Sequence, residues 1–410
     1  MKILEFIKTV NSRLRSLWDR AAQFQKYADR LLFALALAVL LGALLSVVLR
    51  YIERERASRT LVFTQWWHEE LNEGFLTNLI EEFESRHNGI RVVLDTRSYD
   101  DIKSDFFSLS SFDGAPLSGD IFALDNLWVP ELLAREIIEN PSQAILSFIN
   151  VLYYNIDILR QAGFSRPPRN RSEFTAYSRA VINTDRKGLV VDRSGSRGVY
   201  DDVFPWIWSA GASLINDGNP TVSSAPVTAS LSFLLNLNNE GLILNSEGRK
   251  IEDFILGRAA FMIAPAMYIE HVRKGMGEEA FDVTLIPPPD NYAGRTFFAS
   301  QDWNLALNTA SQHKAEAQLF LNFLVENAPL FSEKTGASPP DRLQATIDPF
   351  YSKVWEIAMA GQLAGDFAGL PWVELDRLFG EELDELFNQT ATPAQAVSVI
   401  QREWETVLRE

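Results

Sequence analysis

The chain has 410 residues, 47% hydrophobic and 22% charged, enough to bury a large core and to form two lobes of ordinary size. Its net charge of −16 argues against nucleic acid as the main partner, because a phosphate backbone attracts a basic face that this chain lacks after residue 60. Cysteine is absent, which excludes disulfides, thiolate metal sites, catalytic cysteines and the lipid anchor of a bacterial lipoprotein.

The chain opens on a basic leader, residues 1–30, with Lys2, Lys8, Arg13, Arg15, Arg20, Lys26 and Arg30 set against Glu5, Asp19 and Asp29. Leu31 to Leu49 carries no charge and as a helix reaches about 28 Å, the thickness of a hydrocarbon core, so a transmembrane helix is expected there. A buried core helix is the alternative. The leader's charge favours a cytoplasmic N-terminus, although Arg50, Arg54, Arg56 and Arg59 crowd the juxtamembrane link 50–59 on the other side. No small-x-small site follows before Arg50, so the segment is expected to be retained as a signal anchor. In the leader, Leu4, Ile7, Leu14, Leu17, Trp18, Ala21, Phe24 and Ala28 share one helical face. That pattern fits a helix lying in the membrane interface and equally a solvated basic helix.

Thr60 to Trp67 reads as a buried opening strand, followed by a helix through Phe75, Leu79, Ile80 and Phe83 and a strand at Ile90 to Leu94. Tyr99 to Leu109 reads as a helix and Ser110 to Gly119 as a loop. The strand Asp120 to Leu124 then runs into Asp125, Asn126 and Trp128, which places polar groups and an aromatic ring beyond a carboxyl end, where open α/β sheets bind ligands. A second α/β region starts at Val151 to Asn155, with helices at Ser172 to Val181, Asp201 to Ser209 and Val227 to Asn239 and a turn at Asn216 to Pro220. Strands alternating with helices predict an α/β fold.

No enzyme signature emerges. There is no P-loop, Gly-x-Ser-x-Gly elbow or dinucleotide fingerprint, and His68, His87, His271 and His313 lack metal-binding spacing, so no cofactor is expected. The acidic run Glu381 to Glu385 reads as a solvated helix face.

Several pieces in order resemble one family. They are Phe63-Thr-Gln-Trp-Trp67, Gly119-Asp-Ile-Phe-Ala-Leu-Asp-Asn-Leu-Trp128, Leu152-Tyr-Tyr-Asn-Ile-Asp157 with Ala162 and Gly163, and Pro167-Pro168 before Glu173-Phe174. Further on come Trp208-Ser-Ala-Gly211, Gly257-Arg-Ala-Ala-Phe-Met262, and Asp302-Trp-Asn-Leu-Ala-Leu307 before a helix at Lys314 to Val325. From about residue 60 to residue 340 the chain resembles the extracellular solute-binding proteins of family 1, the sugar-binding components of bacterial ABC importers related to maltose-binding protein.

The resemblance implies a two-lobed periplasmic-binding-protein-like fold of type II preceded by one transmembrane helix. On that pattern lobe one is 60–146 with 302–330, and lobe two is 147–301 with 331–410. It also implies a domain outside the inner membrane, importer permease subunits as partners, and lobes that close around a saccharide or similar polar solute. Two departures stand out: the stretch Leu132 to Gln143 is short, and Ala264-Pro-Ala-Met-Tyr268 stands where relatives place a Gly-Pro-Trp. Both favour the alternative of a degenerate binding fold acting as a membrane-bound sensor or scaffold with no transported ligand.

Sugar sites combine aromatic faces, which cover pyranose C–H groups, with polar side chains that bond hydroxyls. The candidate ligand-binding residues are therefore Trp66, Trp67, Glu69, Asp125, Asn126, Trp128, Trp208, Tyr268, Asp302 and Trp303, with Trp206 weighed beside them. Each tryptophan serves equally well as core.

Overall fold

The computed structural model describes residues 59–67, 71, 74–107, 118–140, 142–192, 197–294, 297, 298, 300–335, 348–363, 367 and 369–409, together with 11, 13, 15, 18, 20, 35 and 37–49. The chain forms two compact units, Met1–Thr60 and Leu61–Glu410. In the first, residues 37–49 are helical and their apolar side chains, Leu40, Leu41, Leu44 and Leu45 among them, are exposed. Among the described residues no helix is long and apolar enough to cross a membrane. Part of the expected span, Leu31 to Ala34 and Ala36, lies outside the described residues.

The second unit holds an α/β sheet. Its strands in chain order are β1 (Thr60–Gln65), β2 (Arg91–Thr96), β3 (Ile121–Asp125), β4 (Gln143–Asn155), β5 (Lys187–Val191), β6 (Ile215–Asn216), β7 (Asn219–Pro220), β8 (Ile243–Asn245), β9 (Ala259–Pro265), β10 (Phe281–Thr284), β11 (Phe297–Phe298), β12 (Ser300–Leu307) and β13 (Gln362–Leu363). The main sheet runs β2-β1-β3-β12-β4-β9-β5-β8, with β10 also paired to β4. β6 and β7 form a separate hairpin around the expected Asn216 to Pro220 turn.

One strand belongs to both lobes. β4 has 13 residues and extends about 43 Å. Its first part pairs with β12, Ser300 opposite Ile149, and its second pairs with β9 and β10, Leu152 facing Ile263 and Thr284. The expected strand at Val151 to Asn155 is thus the far end of a longer one, because the apolar run continues back through Ile145, Leu146 and Phe148.

The half around β3 is covered by amphipathic helices. Phe75–Arg86 buries Leu76, Leu79, Ile80 and Phe83 at three- and four-residue spacing, and Lys314–Glu326 packs on β12. β3 is parallel to β1, antiparallel to β12 and buried along its whole length, as the apolar run Ile121 to Leu124 requires. β1 ends at Gln65, two residues before the expected end, where the Gln65 side chain accepts the Trp67 N–H at 2.6 Å and turns the chain out of the sheet.

In the other half the helix Arg171–Val181 packs on β5 at Gly188, where a Cβ would stand 2.5 Å from the Ser178 Cβ. A second apolar cluster gathers Tyr153, Met262, Phe254, Phe281 and Val272 with Phe350 of the helix Pro349–Ala360, whose ring stacks on Phe281 at 4.8 Å. The helices Trp372–Phe387 and Pro393–Val407 pack on each other and on Ala225–Asn239. The expected helix from Asp201 begins as a π-helical turn, Val199–Val203, before Phe204–Ser209.

Candidate functional site

The carboxyl end of β3 carries Asp125, which is 1% exposed. Its Oδ1 accepts the Leu127 N–H at 3.0 Å, and Oδ2 accepts the Tyr99 hydroxyl at 2.8 Å and a bond from the Arg197 guanidinium. Tyr99 starts the helix Tyr99–Phe107 on the same half as Asp125, whereas Arg197 follows β5 on the opposite half. Arg197 Nε also meets Asp201 at 3.4 Å, and its guanidinium lies over the Tyr200 ring at 4.8 Å. Asp201 Oδ1 accepts from Asn150 of β4 at 3.0 Å. The polar chain Tyr99, Asp125, Arg197, Asp201, Asn150 therefore joins the two halves at the shared strand. Lys103 and Asp376 make a second link between helices of the two halves at 3.7 Å.

Burial sets the electrostatics here. It disfavours the Arg197 charge, but Asp201, Tyr99 and Tyr200 outweigh it and hold the guanidinium above its ordinary value. Burial pushes the Tyr99 hydroxyl up, so it stays a donor at neutral pH. Asp376 is pushed up to about 6 by burial, against the pull of Lys103 and Arg197. Asp202 is pushed up to about 6 for the same reason, against Lys250 at 3.0 Å.

Seven of the expected residues, Asp125 among them, gather around the end of β3. Asn126 and Asp302 exchange two bonds at 3.2 Å, Asn126 N–H to the Asp302 carbonyl and Asp302 N–H to Asn126 Oδ1. Trp303 stands opposite Asp125 in register. Trp66, Trp128 and Tyr99 pack on one another with ring centroids 4.7 to 5.4 Å apart. Trp67 stacks on Trp303, which also meets Phe148 edge-on at 5.4 Å. These tryptophans are buried and their faces are covered by other rings. Among the described residues the indole N–H groups of Trp67, Trp128 and Trp303 have no hydrogen-bond partner.

Two candidates lie on the opposite half. Trp208 packs against Tyr200 at 5.2 Å, the ring over which the Arg197 guanidinium lies. Tyr268 ends a short 3-10 turn after β9, half-buried against both apolar clusters. Trp206 is enclosed by Phe174 and Phe233. Glu69 lies outside the described residues. Sequence reasoning missed Tyr99, Lys103, Arg197, Asp201 and Asp376. The only signal for Arg197 was its place in the charged, glycine-containing stretch after β5, which nothing local ties to Asp125.

The family described as bacterial extracellular solute-binding protein matches residues 68–329, and the chain belongs to it. A probable ABC transporter-binding protein of Deinococcus radiodurans is 24% identical over 226 residues, and the chain spans about half the length of that relative. Among solved structures, an ABC transporter solute-binding protein of Thermotoga lettingae bound with α-D-tagatose matches with a TM-score of 0.73 at 16% identity, over 85% of this chain and all of that one. The GacH receptor of Streptomyces glaucescens, solved unliganded and with acarbose, matches at 0.69 and 15% identity over 86% of this chain and 98% of its own. UgpB of Mycobacterium tuberculosis, in complex with glycerophosphocholine, matches at 0.69 and 17% identity over 85% and 98%. These likenesses establish the two-lobed fold, and family membership makes the chain an extracytoplasmic solute-binding protein and not an enzyme.

Proposed function

We propose that this family member captures a carbohydrate or similar polar solute between its two halves and delivers it to the permease subunits of an ABC importer, with Leu31 to Leu49 holding the chain to the inner membrane. The observation that carries the reading is the pairing of Asp125 from one half with Arg197 from the other beside the shared strand β4. A solute gripping both halves stabilises the closed form by its differential affinity for the two states, and a transporter reads that form. The saccharides held by the Thermotoga and Streptomyces proteins support a sugar as ligand. The uncharged run from Leu31 to Leu49 supports the tether.

Thermal unfolding of the detergent-solubilised chain across a saccharide panel tests the ligand. A concentration-dependent rise in Tm with at least one sugar is expected, and no rise with any sugar in a well-folded sample refutes it. Alkaline carbonate washing of membranes tests the tether: the chain stays in the pellet if it spans and is released if it only adsorbs.

A second reading, a membrane-bound sensor or scaffold with no transported ligand, is favoured by the same residues. Asp125 with Arg197, and Lys103 with Asp376, join the halves through the protein's own side chains. Sugar uptake that persists unchanged after deletion of the gene supports that reading over the receptor.

A further inference from the structure

Arg171 opens the helix Arg171–Val181 and is 7% exposed. Every hydrogen bond of its guanidinium leaves from Nη2, to the Trp206 carbonyl, to the Ser230 hydroxyl at 3.0 Å and to the Ser209 hydroxyl at 3.5 Å. All three acceptors are uncharged. Among the described residues Nε has no partner, and Arg171 forms no ion pair. Asp290 acts on it only through space, because the Asp290 oxygens are engaged by the Ser172 N–H and hydroxyl. Burial lowers the Arg171 pKa to about 10, against the pull of Asp290, so the group is charged at neutral pH. A buried charge is ordinarily paired, since taking it out of water without a counter-charge is costly.

The same arginine lines a surface pocket of about 360 Å³ between its own helix and Ala225–Asn239. Phe233 and Leu237 give the pocket an apolar wall, and the guanidinium lies over the Phe233 ring, 5.0 Å from its centroid. At the rim Arg179 and Glu240 neutralise each other through two bonds at 2.6 and 2.7 Å. The pocket shares no residue with the polar chain that joins the halves at β4.

We infer that this pocket is a second ligand site, apart from the junction of the halves, and that it takes a small organic monocarboxylate with a short apolar tail. The carboxylate supplies the counter-charge that Arg171 lacks, and the tail lies along Phe233 and Leu237. A neutral molecule leaves the guanidinium unpaired, and a cation is repelled by it. A dianion meets Asp290 as a like charge and finds no second cation, because Arg179 is held by Glu240. None of this depends on which solute lies between the halves.

The test is titration calorimetry on the detergent-solubilised full chain, at neutral pH and fixed ionic strength, with butyrate, 1-butanol, butylammonium and inorganic phosphate. Wild type is compared with Arg171→Met and Asn236→Trp, each first shown to be folded by circular dichroism. R171M removes the charge and leaves the Trp206 carbonyl its bond from the Ser209 hydroxyl at 2.9 Å. N236W fills the pocket from an exposed position and keeps Arg171 in place, so it carries the test if R171M does not fold. Butyrate is expected to bind wild type about tenfold or more tightly than the other three, the worth of one hydrogen bond to a charged group, and each folded variant is expected to lose about that factor. No butyrate binding to wild type, or binding unchanged in folded N236W, overturns the inference. Equal or tighter binding of butanol, butylammonium or phosphate overturns the ligand class. Butyrate binding that N236W abolishes, in a chain that no saccharide stabilises, supports this site while refuting the sugar at the junction.

Discussion

Trp67 lies flat on Trp303, with ring centroids 4.5 Å apart and planes 7° from parallel. The pair is buried, and its far faces meet Phe63, Phe331 and Phe148. Trp303→Ala therefore opens a cavity in the core. We expect it to cost about 3–5 kcal/mol in urea unfolding, the range for deleting a large buried aromatic. A Trp303 that chiefly stacks on sugar would instead lose affinity with little loss of stability.

Gly188 lets the helix Arg171–Val181 approach β5 closely. A Cβ there would stand 2.5 Å from the Ser178 Cβ and 3.0 Å from its Cα, so backbone has to shift. Gly188→Ala is expected to destabilise by about 1–3 kcal/mol, the usual cost of overpacking. Ser178 is fully buried and its hydroxyl has no partner among the described residues. Ser178→Ala alone is therefore expected to be neutral or slightly stabilising in the same unfolding measurement.

Asp376 titrates at about 6 in the folded protein because burial outweighs Lys103 and Arg197, against 3.8 for an ordinary aspartate. Between roughly pH 4 and pH 6 the folded chain holds a proton that the unfolded chain has released. Its contribution to stability therefore falls as pH rises through that window and levels off above it, by on the order of 3 kcal/mol. Asp376→Asn removes this slope. The measurement is the difference between wild-type and D376N unfolding free energies from pH 4 to pH 7, expected to grow in favour of the variant as pH rises. A flat difference refutes the assignment.

Much of the framework is legible in sequence because one local property decides it. The apolar spacing of Leu76, Leu79, Ile80 and Phe83 fixes a helix face, and the unbroken Ile121 to Leu124 fixes a buried strand. The length of β4 is not legible in the same way. Its apolar run states only that it is buried, while its partners change from β12 to β9 and β10 midway. Asp125 stands out in the sequence as a candidate because it follows a strand. Arg197 does not, because its contact depends on a partner 72 residues away and on a geometry that no local spacing encodes. The tryptophans are ambiguous for a physical reason: an indole face serves a ring of the core as well as it serves a pyranose.

Asn126 ties the turn after β3 to β12 through its reciprocal bonds with Asp302. The next residue back is Asp125, so this tie helps to fix where the carboxylate aims. Asn126→Ala keeps the backbone bond but removes the acceptor for the Asp302 N–H. We expect a loss of about 1 kcal/mol in stability, the net value of one hydrogen bond. Asn126→Asp keeps an acceptor at that position and adds a negative charge beside Asp125 and Asp302. It is therefore expected to match wild type at pH 3.5, where the new carboxyl is largely protonated (ordinary value about 3.9), and to fall below it at pH 7. Tm measured at the two pH values separates the variants: Asn126→Ala lies below wild type at both, and Asn126→Asp only at the higher. Equal deficits of Asn126→Asp at both values would mean that shape at this turn, and not charge, governs the site.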